Sequence, residues 1–146
     1  MQASEEKAVS NDNIPDGFKP ANFSPGFLDH GGPYYLKREG DRHLVGLRLL
    51  DQHMNYRDMA HGGVLSTFAD VAMSWQVHAS EDPPLPVSTI TLAVNFLAPA
   101  RLGDWLVADM RIDRAGKRVA YTSGHILRDA EVLASATASF AVIRSR

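Results

Sequence analysis

One run, Val64–Ala79, constrains the fold more than any other part of the chain. It contains neither Pro nor Gly, and Val64, Phe68, Val71, Ala72 and Trp75 recur at helical spacing as an apolar face. Gly63, Ser66, Thr67, Asp70 and Ser74 form a second stripe, small and polar. The proline-rich segment Glu81–Pro86 ends the helix. On both sides the pattern is β-like. Tyr34–Arg38 and His43–Leu50 precede the helix, separated by the turn signal Glu39-Gly40-Asp41. Val87–Leu97, Asp104–Asp113, Arg118–Arg128 and Glu131–Ile143 come after it, and their short separators predict antiparallel neighbours in chain order. A lone helix must then lay its apolar face across an antiparallel sheet of about six strands. The class is α+β. With no internal repeat and no linker, residues 16–146 read as one domain. The polar stretch Met1–Pro15 reads as a disordered lead-in, and the Pro- and Gly-rich segment 14–33 as turns with a short helix around Pro25–His30.

Composition narrows the chemistry. Of the 146 residues, 45% are hydrophobic, enough for one real core. No stretch approaches the roughly 20 apolar residues of a membrane span, and Met1–Pro15 lacks the order of a signal peptide. Zero cysteines exclude a disulfide scaffold, thiolate catalysis and Cys-based metal sites. Together these predict a cytoplasmic protein. A net charge of −2 argues against a nucleic-acid partner, although Lys117-Arg118 suits a small anionic ligand. The histidines at 30, 43, 53, 61, 78 and 125 form no i, i+4 pair, so no metal is expected. There is also no G-x-S-x-G elbow for a serine triad.

The tripeptide His-Gly-Gly occurs twice. The second copy, His61-Gly62-Gly63, sits where a loop becomes the helix. Unpartnered N–H groups and the helix dipole make such a place an oxyanion corner, and glycine lets another group approach it. The first copy, His30-Gly31-Gly32, runs into Pro33 and a strand, which predicts a structural turn. Asp70 lies two turns into the helix, where propensity disfavours it. Taken alone it reads as a solvated residue. Asn55, His61, Gly62 and Asp70 together, however, offer an amide, an imidazole, a main-chain donor and a carboxylate within one segment.

The pattern Asn55-x5-His61-Gly62-Gly63-x6-Asp70 resembles the hotdog-fold acyl-CoA thioesterases of the phenylacetate-degradation type. The resemblance continues through a Thr/Ser-led strand, the step Phe96-x-x-Pro99-Ala100, a Gly103-Asp104 turn, a Gly116-Lys117 turn and an Ala/Thr-rich closing strand. It covers about residues 25–144. It implies hydrolysis of an aryl or medium- to long-chain acyl-CoA, with CoA entering as part of the substrate and no other cofactor. Asp70 would be general base or nucleophile, and Gly62 N–H would polarise the thioester carbonyl. Asn55 would bind the water or the carbonyl, and His61 would contact the thioester or hold the loop. Thr89, counted back from Phe96 and Pro99, or Ser88, counted forward from Asp70, would orient water; Thr89 is preferred. Gly63, Phe96, Arg101, Lys117, Arg118 and Tyr121 would contact the CoA part, with Phe96 and Tyr121 near its pantetheine arm. The resemblance also implies a homodimer at least, with tetramers expected, and sites completed by both chains. Its members usually carry a glycine shortly before the His-Gly-Gly, where this chain has Asp58-Met59-Ala60. Two other functions fit the same scaffold, an acyl-CoA binding protein without catalysis and an enoyl-CoA hydratase or dehydratase.

Overall fold

A computed structural model describes residues 9–144 of the chain. The elements run β1 (Lys19–Ala21), α1 (Leu28–Gly31), β2 (Tyr34–Glu39), β3 (Arg42–Arg48), α2 (Gly62–His78), β4 (Val87–Phe96), β5 (Trp105–Ala115), β6 (Val119–Arg128) and β7 (Glu131–Val142). All seven strands join one antiparallel sheet in the order β1-β2-β3-β5-β6-β7-β4. The sheet packs on α2 through its helix-facing side, where Val45, Leu47, Leu106, Met110, Ile126 and Phe140 are all but inaccessible. A long helix against one curled antiparallel sheet is the hotdog arrangement that the sequence pattern implies. The seventh strand is β1, three residues on the edge of β2.

Two expectations need correction. First, α2 buries Leu65, Phe68, Ala69, Ala72, Met73 and Val77, while Val64 and Trp75 at the margins of the predicted face are half-buried. The sheet is wide enough to cover a broader stripe than the five predicted positions. Second, β4 and β5 are antiparallel but not neighbours. β5 docks on β3, and β4 lies at the far edge beside β7. The connection from Leu97 to Asp104 crosses the width of β6 and β7 instead of forming a hairpin. Three strand spacings amount to about 14 Å, well within the reach of eight residues.

The N-terminal segment lies over the outer side of the sheet. Phe18 packs edge-on against Trp105 at 5.2 Å, over Gly46, where a side chain would strike the Trp105 ring. Asn11 Nδ2 donates to the Tyr35 hydroxyl at 2.9 Å, and Arg48 donates to the Asn13 carbonyl. Residues 9–15 carry neither helix nor strand; residues 1–8 of the expected lead-in lie outside the described residues. No helix among the described residues is long and apolar enough to cross a membrane.

Candidate active site

The loop before α2 is held from three sides. His53 is fully buried; its Nδ1 accepts from Leu50 N–H at 2.9 Å, which leaves Nε2–H to donate to the Gly32 carbonyl at 3.1 Å. Burial pushes the His53 pKa below its ordinary value, so the ring stays neutral. The His53 carbonyl then accepts from His61 N–H at 2.9 Å. From the other side, Ala60 N–H donates to the Ala100 carbonyl at 2.8 Å, and Met59 bridges Arg101. Inside the loop, Asn55 Oδ1 accepts from Arg57 and Met59 N–H at 2.8 and 3.1 Å. That leaves Asn55 Nδ2 without an acceptor among the described residues. Asp58 takes a φ of 59°, the left-handed region that Asp tolerates better than most residues.

His61 is the N-cap of α2, and its Nδ1 accepts from Gly63 N–H at 2.8 Å. One donor of the first turn is thereby occupied. Gly62 N–H has no acceptor among the described residues and remains open to a ligand. The Phe96 ring lies against Gly62: a Cβ there would meet Phe96 Cζ at 3.3 Å. Asn55, Met59, Gly62, Leu65, Phe96 and Pro99 line a cavity of about 320 Å³. Together these make one half of a candidate site, a neutral donor pair over an apolar hollow.

The second half lies further along α2. Thr89 Oγ1 donates to Asp70 Oδ1 at 2.7 Å, which fixes the carboxylate, and its other oxygen has no partner among the described residues. Thr89 reaches α2 because β4 contains a bulge at Ile90. Thr89 pairs with Phe140 and Thr91 with Ser139, so Ile90 has no partner and the alternation resets. Thr89 thus shares the helix-facing side with Leu92, Val94 and Phe96. Ser88, expected on that side by simple counting, pairs with Ala141 and faces outward. The same register separates Phe96 from Tyr121. Tyr121 pairs with Ser139 on the outer side of the sheet, so one chain cannot present both to one ligand.

The basic positions are also apart. Arg101 is exposed on the crossing segment, its N–H held by the Asp104 carboxylate at 2.8 Å, and that carboxylate pairs with Arg128 at 2.6 Å. Lys117 and Arg118 are exposed at the opposite end of the sheet, where the Arg118 carbonyl accepts from Val142 N–H. The sequence pattern does not reveal His53, whose role shows only through its hydrogen bonds; no spacing rule singles it out.

Residues 58–135 match the family model described as Thioesterase superfamily. A Pseudomonas aeruginosa protein named "Putative esterase" is 39% identical over 129 residues, covering 88% of this chain and 96% of that one. A Bacillus halodurans protein crystallised with CoA is 30% identical, with a TM-score of 0.68 over 76% of this chain and 74% of that one. A hypothetical thioesterase of Streptococcus pneumoniae, solved with coenzyme A, shares the fold at 22% identity and a TM-score of 0.70, covering 77% and 90% of the two chains. The chain belongs to the thioesterase superfamily. Its chemistry is thioester hydrolysis.

Proposed function

We propose that this enzyme cleaves acyl-CoA thioesters to free acid and CoA at sites built from two copies of the chain. The carrying observation is the spacing of two half-sites on one helix. Gly62 and Asp70 are eight residues apart, about 12 Å along the axis. A carbonyl polarised by Gly62 N–H is therefore out of reach of Asp70 in the same chain. β4 supplies the remedy. It is a ten-residue edge strand, exposed along most of its length, with its outer rim of N–H and C=O groups unpaired. Antiparallel pairing of two β4 strands sets the Thr89 end of one copy beside the Phe96 end of the other. Asp70 and Thr89 of one chain then meet Asn55 and Gly62 of its partner. The same pairing brings Lys117 and Arg118 of one copy to the end of the joined sheet that carries Arg101 of the other, which suits the phosphates of CoA.

In this arrangement Gly62 N–H and Asn55 Nδ2 receive the charge that develops on the carbonyl oxygen. The free Asp70 oxygen takes a proton from water as the water oxygen bonds to the carbonyl carbon, the C–S bond breaks and the proton passes to the departing CoA thiolate. In the other route the carboxylate itself displaces the thiolate, and water then opens the resulting anhydride to free acid and Asp70. Subunit complementation tests the reading. Asp70→Asn and Asn55→Ala, each purified alone and folded, should lose about 10²-fold or more in kcat by thiol release. When the two chains are co-expressed, half the dimers are mixed and each mixed dimer holds one intact site. About a quarter of wild-type activity should then return. Near-normal rates in the single variants remove the assignment, and absence of recovery places the whole site in one chain.

A further inference from the structure

A second pair of cavities lies on the other side of Asp70, under the segment that carries α1. Phe23 divides them. Its ring is 5.1 Å from Trp75 and 5.8 Å from Tyr34, centroid to centroid. On the near side, Val71, Ser74, Trp75 and Val87 enclose about 310 Å³. On the far side, about 410 Å³ opens against Asn22, Pro33 and Tyr34. Phe23, Ser24 and Leu28 belong to both walls. The near cavity lies one helical turn past Asp70 on α2. Val71 and Ser74 come one and four positions after Asp70 on α2, and Val87 precedes Thr89 on the helix-facing side of β4.

The lining also has a definite chemistry. Among the described residues, no Lys or Arg borders either cavity. The Asp29 carboxylate accepts from Gly26 N–H at 2.9 Å, and His78 Nδ1 is bonded to the Leu85 carbonyl at 2.7 Å. An anionic acyl tail finds no lysine or arginine there and would lose its hydration, whereas an apolar one meets aromatic and aliphatic walls. Resting on the thioesterase reading, we propose that the near cavity is the acyl pocket, that it takes uncharged aryl or medium-length acyl groups, and that Phe23 is the end wall that sets the length it accepts.

The test is a thiol-release panel of acetyl-, hexanoyl-, phenylacetyl-, decanoyl- and succinyl-CoA. The wild-type enzyme should favour hexanoyl and phenylacetyl over decanoyl and succinyl. Phe23→Ala joins the two cavities, and the decanoyl-to-hexanoyl ratio of kcat/KM should rise about ten-fold or more. Phe23→Trp should shift the ratio the other way, and Phe23→Leu should give an intermediate rise if the alanine variant folds poorly. An unchanged ratio across the folded variants, or a wild-type preference for succinyl-CoA, overturns the proposal and leaves the thioesterase reading standing. No thiol release from any acyl-CoA by the wild-type enzyme overturns both.

Discussion

His30-Gly31-Gly32 closes a helix of four residues, whereas His61-Gly62-Gly63 opens one of seventeen. In the first copy the space beside the glycines is filled. A Cβ on Gly31 would lie 2.6 Å from the Tyr34 hydroxyl, and one on Gly32 would lie 2.9 Å from Tyr34 N. Gly32 N–H donates to Leu28 and its carbonyl accepts from His53, so its backbone groups serve the fold. In the second copy Gly62 faces only the half-exposed Phe96 ring, and its N–H is open. The same three residues make a packed joint when Pro33 and a strand come next, and a corner with an open N–H when an uninterrupted helix does. The joint also supports the corner, because His53 ties Gly32 to the backbone of His61.

Substituting matched glycines should separate the two roles most sharply. Gly62→Ala should keep its melting temperature, since Ala suits a first helical turn and the Phe96 ring can yield, while activity falls because the added methyl crowds a carbonyl's approach to the N–H that Ala retains, by up to the roughly 10²-fold worth of one oxyanion donor. Gly31→Ala should do the reverse, lowering stability by about 1–3 kcal/mol through overpacking on Tyr34 and sparing the rate of the folded fraction. Equal effects on rate and melting in both variants would erase the distinction.

The link between the copies should show in pH dependence. The folded-state pKa of His53 lies below its ordinary value, so acidification protonates the unfolded chain first. Stability is therefore full above pH about 6.5 and declines as pH falls below it. The half-buried His43, also lowered by burial, adds to the same slope. His53→Gln should flatten the decline in melting temperature that these residues produce below pH about 6.5, at a lower starting stability.

The smallest effects belong to the two histidines that open the tripeptides. His61→Ala removes the N-cap of α2 and should reduce stability by about 1 kcal/mol, with His61→Asn restoring most of it. His30 is exposed, and its replacement by Ala should stay within about 0.5 kcal/mol in a thermal melt.

The long helix, six of the strands and the candidate half-sites were legible because each rests on local pattern: alternation, turn residues, and the loop-to-helix boundary at Gly62-Gly63. The features that stayed hidden depend on distant partners. The crossing from Leu97 to Asp104 is as short as a hairpin, and nothing in its residues says that β4 pairs with β7. Phe23 is one apolar residue among turn formers until Trp75 and Tyr34 come to meet it. β1, with Pro20 at its centre, is a strand only because β2 offers an edge. Counting by twos cannot choose between Ser88 and Thr89, because one unpaired residue resets the parity.

That residue, Ile90, makes the direction of the Thr89 hydroxyl depend on the spacing of β4 as much as on its composition. An in-frame loss of one codon between Thr89 and Thr91 would leave a strand of almost the same hydrophobicity and restore strict alternation. It would keep Thr89 opposite Phe140 and its hydroxyl toward Asp70, because the residue lost is the one without a partner. Keeping Ile90 but ironing out the bulge would instead set Ile90 opposite Phe140 and Thr89 opposite Ala141, turning the hydroxyl outward and away from Asp70.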